Sequence, residues 1–285
     1  MADNKVAVVT GASRGAGAGI ARALGEQGYT VYVTGRTVVE GSAPLPGTVG
    51  ATAEAVTAAG GKGIPVAIDH RDDAAVKALI ERVEQEHGRL DILVNNVAAI
   101  HDDLIAQGTF WELSLELVDI IDIGLRSGYV ASYYAAPLLV RTGGGLVVFT
   151  SSFGSACFMH GPAYGAQKAG VDKLAADMAV DLKEHDVAAI SIWMGMLRTE
   201  RSAKAALERP DQYEKLLRNA ETPEFTGRLI AAVHADPDRM SLNGQTLIGA
   251  ELAERYSVTE EGGRKPPSYR KALGDPRIPH PAIVR

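Results

Sequence analysis

A short apolar run, Val6 to Thr10, leads straight into the glycine-rich stretch TGASRGAG at residues 10–17, and a helical pattern follows at once. No other feature limits the fold of this chain so strongly. Gly11 lets the chain turn sharply, Gly15 lets the backbone approach a pyrophosphate, and Gly17 lets the helix pack close to the sheet. The helix start beside Ser13 and Arg14 offers unpaired N–H groups and a positive dipole end to phosphates. Glycines alone also serve a plain turn and helix start. The strand–turn–helix setting is what points to a dinucleotide.

The rest of the chain keeps the same rhythm. Strands are expected at Val6–Thr10, Thr30–Thr34, Ile64–Ile68, Ile92–Asn95, Leu146–Thr150 and Ala189–Trp193, all reading as buried and rich in β-branched residues. Helices are expected at Gly17–Gln27, Gly50–Ala59, Asp72–His87, Ser114–Val140 and Ala163–Glu184. In the third of these, Val76, Leu79, Ile80 and Val83 share one stripe, Asp72 or Asp73 caps the start, and Gly88 ends it. Such alternation implies an α/β fold with a doubly wound parallel sheet and right-handed crossovers. With no internal repeat and no clean linker, a single domain is the better count. Residues 37–48 (TVVEGSAPLPGT) interrupt the rhythm. So does the tail from Glu260, which holds five of the 13 prolines and is expected to wrap a surface, its own or a partner's.

Charge narrows the class. A net charge of −6 with scattered Lys and Arg argues against nucleic acid and against an anionic membrane surface. No apolar run approaches a membrane span, and no signal peptide precedes the first strand, so a cytoplasmic protein is expected. Cys157 is the single cysteine, which rules out an intrachain disulfide. His70 and His101 have no ligand spacing around them, so no metal is expected.

An acidic residue at the end of the second strand would take the ribose 2′-OH of NAD; here the strand ends Thr34-Gly35-Arg36. Arg36 and Arg14 together suit the 2′-phosphate of NADP(H), although Arg36 also reads as a solvated loop residue. Asp69, after the third strand, is open to two roles: a partner for the adenine amino group or a helix cap.

Tyr164 and Lys168 lie four apart in AYGAQKAGVDKLAADMA and so share a helix face. An ammonium one turn away favours the phenolate and is expected to pull the phenol's pKa down toward a useful acid/base value. The pair follows a strand that ends Thr150-Ser151-Ser152, at the carboxyl edge where doubly wound sheets bind ligands. Spacing favours Ser151, thirteen residues before Tyr164, over Ser152 as the hydroxyl that meets a substrate carbonyl.

The order of TGASRGAG, Asn95-Asn96-Val97-Ala98, Ser151, Tyr164-x-x-x-Lys168 and Gly195…Thr199 resembles the short-chain dehydrogenase/reductase family over about residues 5–250. FWELSLELVDIIDIGLRSGY, KLAADMAVDL and SLNGQTLIGAELAERY look like its member-1-like branch, which implies carbonyl reduction. The resemblance implies a Rossmann-type domain over 1–255, with a helical substrate lid near 196–225, and a Pro-rich extension over 256–285. It also implies catalysis by Ser151, Tyr164 and Lys168, with Lys168 binding the nicotinamide ribose as well. Asn95 to Ala98, including Asn96, would steady the sheet beside the cofactor. Gly195 would lie at the cofactor, Thr199 would contact the carboxamide, and the chain would form a homodimer or homotetramer.

Departures from the family pattern stand at four places. Gly124 aligns with the asparagine that usually holds a relay water for the lysine, and water on a freed backbone carbonyl near Gly124 is the expected substitute. Val97-Ala98 and Met194-Gly195 replace Ala-Gly and Pro-Gly, and the serine is doubled. Phe153, Phe158, Met159 and His160, between the serines and Tyr164, are expected to line a pocket for a small hydrophobic ketone or aldehyde. The competing reading, a protein that binds NADP(H) as a sensor or scaffold without turnover, draws only on the missing asparagine. An epimerase or dehydratase is disfavoured by the short length after the catalytic helix.

Overall fold

The computed structural model describes residues 5–285. Seven strands form one wholly parallel sheet: β1 (Val6–Val9), β2 (Thr30–Gly35), β3 (Lys62–Ala67), β4 (Ile92–Asn95), β5 (Leu146–Ser151), β6 (Ala188–Trp193) and β7 (Thr246–Ile248), in the order 3-2-1-4-5-6-7. The winding reverses between β1 and β4, which opens a crevice at the carboxyl ends of those two strands. Helices α1 (Gly15–Glu26), α2 (Val49–Ala58), α3 (Asp73–His87), α4 (Asp119–Gly124), α5 (Arg126–Thr142), α6 (Pro162–Leu182), α7 (Glu200–Glu208), α8 (Pro210–Arg218), α9 (Pro223–Ala235), α10 (Gly249–Tyr256) and α11 (Arg270–Leu273) complete the chain.

β1, β2, β4, β5 and β6 are buried along their whole length, because helices cover both faces. One face carries Ile20, Leu24, Val56, Phe225 and Leu229 from α1, α2 and α9. The other carries Val76, Ile80, Leu138, Val171 and Leu182 from α3, α5 and α6. The third strand departs from expectation: of β3 only Ile64 is buried, since it forms the sheet edge. An edge also accommodates Pro65, whose missing N–H costs no ladder bond there. At the other edge β7, three residues long, carries too little pattern to be read from sequence.

Asp72 caps α3, its Oδ1 accepting the N–H groups of Ala74 and Ala75 at 3.0 and 3.1 Å, and Gly88 ends that helix in the left-handed region. The single helix expected over Ser114–Val140 is interrupted. A short 3₁₀ turn (Leu115–Val118) precedes α4, and the chain breaks at Leu125 before α5. The tail wraps its own surface: Tyr269 packs edge-on against Phe153, and Arg270 pairs with Glu251 and Asp275.

α1 and α9 touch at a distance that excludes side chains. A Cβ on Gly227 would lie 2.6 Å from Ala23 Cβ and 2.8 Å from Ile20 Cα. Gly227→Ala is therefore expected to lower the free energy of unfolding by about 1–3 kcal/mol in urea titrations, as overpacking does in tight cores.

Candidate active site

The nucleotide end is built at the reversal point. Gly11 and Gly15 take φ of +64° and +55°, and a Cβ on Gly17 would stand 2.4 Å from Gly11 O. Asn96 Nδ2 donates to Thr10 O and Gly11 O at 3.1 and 3.0 Å, and Thr10 Oγ1 accepts the Asn96 N–H. At the start of α1 the Gly15 N–H donates to Glu200 Oε2 at 3.1 Å, so a carboxylate already sits where a helix terminus favours an anion. This cradle fits the pyrophosphate of a dinucleotide. Ser13 lines the same hollow, together with Arg14, Gly47 and Thr52, whereas Ala98 is exposed beyond the end of β4.

Arg14 also does something the sequence did not indicate. It donates to Pro46 O, Thr37 Oγ1 and Gly47 O at 3.0, 3.0 and 2.8 Å, tying the interruption at 37–48 to the glycine turn. Arg36 stands past β2 with its side chain 66% exposed and Asp69 4.0 Å away. Asp69 accepts the Arg71 N–H and does not cap α3, a role held by Asp72. Behind the end of β2, His70 Nε2 meets Thr34 Oγ1 at 2.8 Å, and burial pushes its imidazole down to about 4, so the ring is neutral at pH 7.

The residues expected to be catalytic lie on α6 and at the end of β5. Tyr164 OH is 2.9 Å from Ser152 Oγ. Ser151 is corrected here: side chains alternate along a strand, so it turns to the opposite side, fully buried, with Oγ against Lys168 O at 3.4 Å. The doubled serine left two candidates twelve and thirteen residues before Tyr164, and the pleat brings the hydroxyl of Ser152, not that of Ser151, to the phenol. Gly154 gives the phenol its room, since a Cβ there would lie 2.5 Å from Tyr164 Cε1.

Lys168 is buried, donates from Nζ to Thr150 O at 3.3 Å, and has Nζ 5.4 Å from the Tyr164 ring centre. Burial pushes its ammonium down to about 8, against a partial opposing pull from Asp172. Asp172 is itself held by Ser191 Oγ and Trp193 Nε1 at 2.5 and 2.8 Å. The expected lowering of the Tyr164 pKa is also corrected. Burial raises it, the Ser152 hydrogen bond lowers it in part, and the Cys157 thiol adds a small rise, so the neutral phenol is favoured. At Gly124 the backbone carbonyl accepts Gln167 Nε2 at 3.1 Å, so a protein amide stands where water was expected.

On the substrate side, Phe153 is corrected from a pocket residue to a core residue: it is 3% exposed and packs edge-on to Trp193 at 5.0 Å. Phe158 is 89% exposed, Met159 rests against the Phe153 cluster, and His160 meets the Tyr164 ring edge-on at 5.1 Å. Gly195 donates its N–H to Glu221 Oε2 at 3.1 Å, and a Cβ there would fall 2.5 Å from Glu221 Oε1. Sequence reasoning overlooked Glu221, a buried carboxyl that desolvation pushes up to about 7; nothing in its local pattern marks it. Thr199 caps α7 reciprocally with Ser202. In the stretch expected as a lid, α7 and α8 pack on each other, but Phe225 at its end is fully buried core.

Among the described residues no group of His, Cys, Asp or Glu is placed to hold a metal, and no helix is long and apolar enough to cross a membrane. Residues 5–210 match the family model for short chain dehydrogenases. The chain is 38% identical to human dehydrogenase/reductase SDR family member 1 over 278 residues, covering 94% of this chain and 86% of that protein. A 3-oxoacyl-[acyl-carrier protein] reductase from Brucella melitensis, solved in complex with NAD, superposes with a TM-score of 0.74 at 24% identity, covering 87% of this chain and 96% of that one. A putative dehydrogenase from Xanthomonas campestris superposes with a TM-score of 0.76 at 23% identity, covering 93% and 94% of the two chains.

Because the folded Lys168 loses its proton at a lower pH than the unfolded one, its charge costs stability at pH 7, and that cost fades as pH rises from about 8 toward 10.5. Lys168→Met is expected to melt higher than the natural protein at pH 7, with the gap narrowing by pH 10 in thermal scans.

Proposed function

The chain belongs to the short-chain dehydrogenase family and is a dehydrogenase/reductase, and we propose that it reduces small hydrophobic ketones or aldehydes with NADP(H). The observation that carries this reading is the 2.9 Å contact between Ser152 Oγ and Tyr164 OH, with the buried Lys168 ammonium beside the same ring. A bound nicotinamide supplies the hydride in reduction and takes it in the reverse direction. Tyr164 gives its phenolic proton to the carbonyl oxygen, and Ser152 donates a hydrogen bond to that oxygen as charge develops on it. Lys168, still mostly protonated at pH 7, steadies the phenolate that results.

A site that favours the neutral phenol holds the acid form ready, which supports reduction as the working direction. The exposed Phe158 and the adjoining Met159 support an apolar substrate. For the cofactor, the support is Arg36, exposed past β2 where no carboxylate ends the strand. Assembly into a homodimer or homotetramer draws support from Tyr129 and Tyr133, exposed and stacked on α5. A sensor or scaffold without turnover gains nothing from this geometry, since serine, tyrosine and lysine are all in place.

Screening cofactor oxidation against ketones, aldehydes and diketones tests the reading. Tyr164→Phe is expected to lower the rate at least about 100-fold, the usual weight of a positioned acid; an unimpaired variant overturns the assignment. Reductive turnover should decline as pH rises through about 8, where Lys168 loses its charge. Arg36→Ala should reduce the kcat/KM preference for NADPH over NADH by about ten- to hundredfold, the range of one charge-assisted contact. An unchanged ratio would assign the 2′-phosphate elsewhere.

A further inference from the structure

Residues 194–200 run between the two ends of the site. At one end the Met194 N–H donates to Ser151 O at 3.1 Å, next to the serine–tyrosine pair. At the other, Glu200 Oε2 accepts the Gly15 N–H at 3.1 Å, and a Cβ on Gly15 would lie 3.8 Å from Thr199 Cγ2. A dinucleotide reaching from the glycine turn to Tyr164 spans the same two ends. Ties at the ends do not fix the middle, where Gly195 lends the backbone no stiffness.

Glu221 grips that middle with three bonds. Its backbone N–H donates to Met196 O at 2.7 Å, its backbone carbonyl accepts the Arg198 N–H at 2.8 Å, and its Oε2 accepts the Gly195 N–H at 3.1 Å. The two backbone bonds form an isolated parallel bridge between Leu197 and Glu221. The side-chain contact needs glycine opposite, since a Cβ at 195 would fall 2.5 Å from Glu221 Oε1. The C-terminal tail secures the neighbours of Glu221 in turn. Glu260 accepts the Thr222 N–H and hydroxyl at 2.5 and 2.7 Å, and Arg264 donates to Ala220 O at 2.7 Å.

We propose that Glu221 is a positioning residue for the cofactor: its carboxylate holds residues 195–198 in the form that receives the dinucleotide, and protonation weakens the hold. The proposal rests on the cofactor reading above. A charged acceptor holds an N–H about twice as strongly as a neutral one. A segment already in place costs the ligand less ordering. The titratable groups facing Glu221 are Glu260, Arg264 and Tyr269 of the tail, with Arg228 of α9 paired to Glu260 at 3.1 Å. Burial pushes the Glu221 carboxyl up to about 7; Glu260 adds to the rise, and the Gly195 N–H and Arg264 oppose it. The grip therefore tightens as pH rises through neutrality.

Glu221→Gln keeps the shape and an acceptor but removes the charge. Every other titrating group, the 2′-phosphate included, is common to the two proteins, so the ratio of their affinities isolates this carboxylate. In fluorescence titrations with NADPH that ratio should be close to one at pH 6. By pH 8 it should favour the natural protein about three- to tenfold, the difference between a charge-assisted and a neutral hydrogen bond. Stability should move the other way. Folding raises this acid from the ordinary 4.5 to about 7, so its charge costs stability above pH 7, and the cost fades as pH falls toward 4.5. Ligand-free Glu221→Gln should therefore melt higher than the natural protein at pH 8 while binding NADPH more weakly. A merely structural role would lower both.

An affinity ratio that does not change between pH 6 and pH 8 overturns the proposal, and so does a variant that melts below the natural protein at pH 8. Failure of the cofactor reading looks different. Neither protein would then alter NADPH fluorescence at any pH.

Discussion

The splice between β1 and β4 is the constraint on which the rest depends. Two parallel halves wind away from this line in opposite directions, and the last backbone bond across it, from the Thr10 N–H to Val94 O at 3.0 Å, lies just past the end of β1. Beyond it Asn96 and Thr10 continue the tie with side chains: three hydrogen bonds of 3.0–3.1 Å link the ends of β1 and β4. Thr150 Oγ1 adds a longer contact to Asn96 Oδ1 at 3.3 Å, which brings the end of β5 into the same network. Asn95, one residue earlier, reaches Ser132 on α5 at 2.9 Å. The nucleotide cradle lies on one side of this splice and the serine–tyrosine pair on the other, so the asparagine amides that tie the strand ends also set the spacing between them.

Helix α6, which carries Tyr164 and Lys168, illustrates a different balance. An ammonium is expensive to bury, and Lys168 is buried with one carbonyl as its described acceptor. It remains charged at neutral pH because the desolvation it meets is partly offset by Asp172 one turn on, and Asp172 is fixed by Ser191 and Trp193 on β6. The chain tolerates a locally unfavourable group because the surrounding sheet and helices are packed well enough to hold it, as strained functional sites generally require.

Much of this was legible in the sequence, and the reasons are specific. The five central strands announced themselves because burial on both faces leaves continuous apolar runs, and α3 did so through its cap, stripe and terminal Gly88. Tyr164 and Lys168 were legible because helix periodicity alone brings them to one face. The serine was not, since a single-residue shift along a strand reverses the side chain, and Ser151 and Ser152 differ by that shift alone. Phe153 read as pocket lining because its partners, Trp193 and Tyr269, are 40 and 116 residues away. Arg14's grip on residues 37–47, and the meeting of Gln167 with Gly124, are likewise contacts between distant segments. Sequence pattern reports what each segment presents, and only the fold reports what it meets.

The seat of Tyr269 has a consequence for the order of events during synthesis. The loop carrying Ser152 and Phe153 leaves the ribosome well before the residue that packs against it, and the Phe153–Trp193 cluster lacks one of its walls until the last part of the chain emerges. Contacts of such long separation form late because the loop they close costs entropy before they repay it. The nucleotide cradle, drawn mostly from the first hundred residues, waits less long: it closes once Glu200 and the start of α9 at Pro223 and Glu224 have emerged. A nascent chain therefore completes its cofactor-binding half while the loop beside Tyr164 is still open to water.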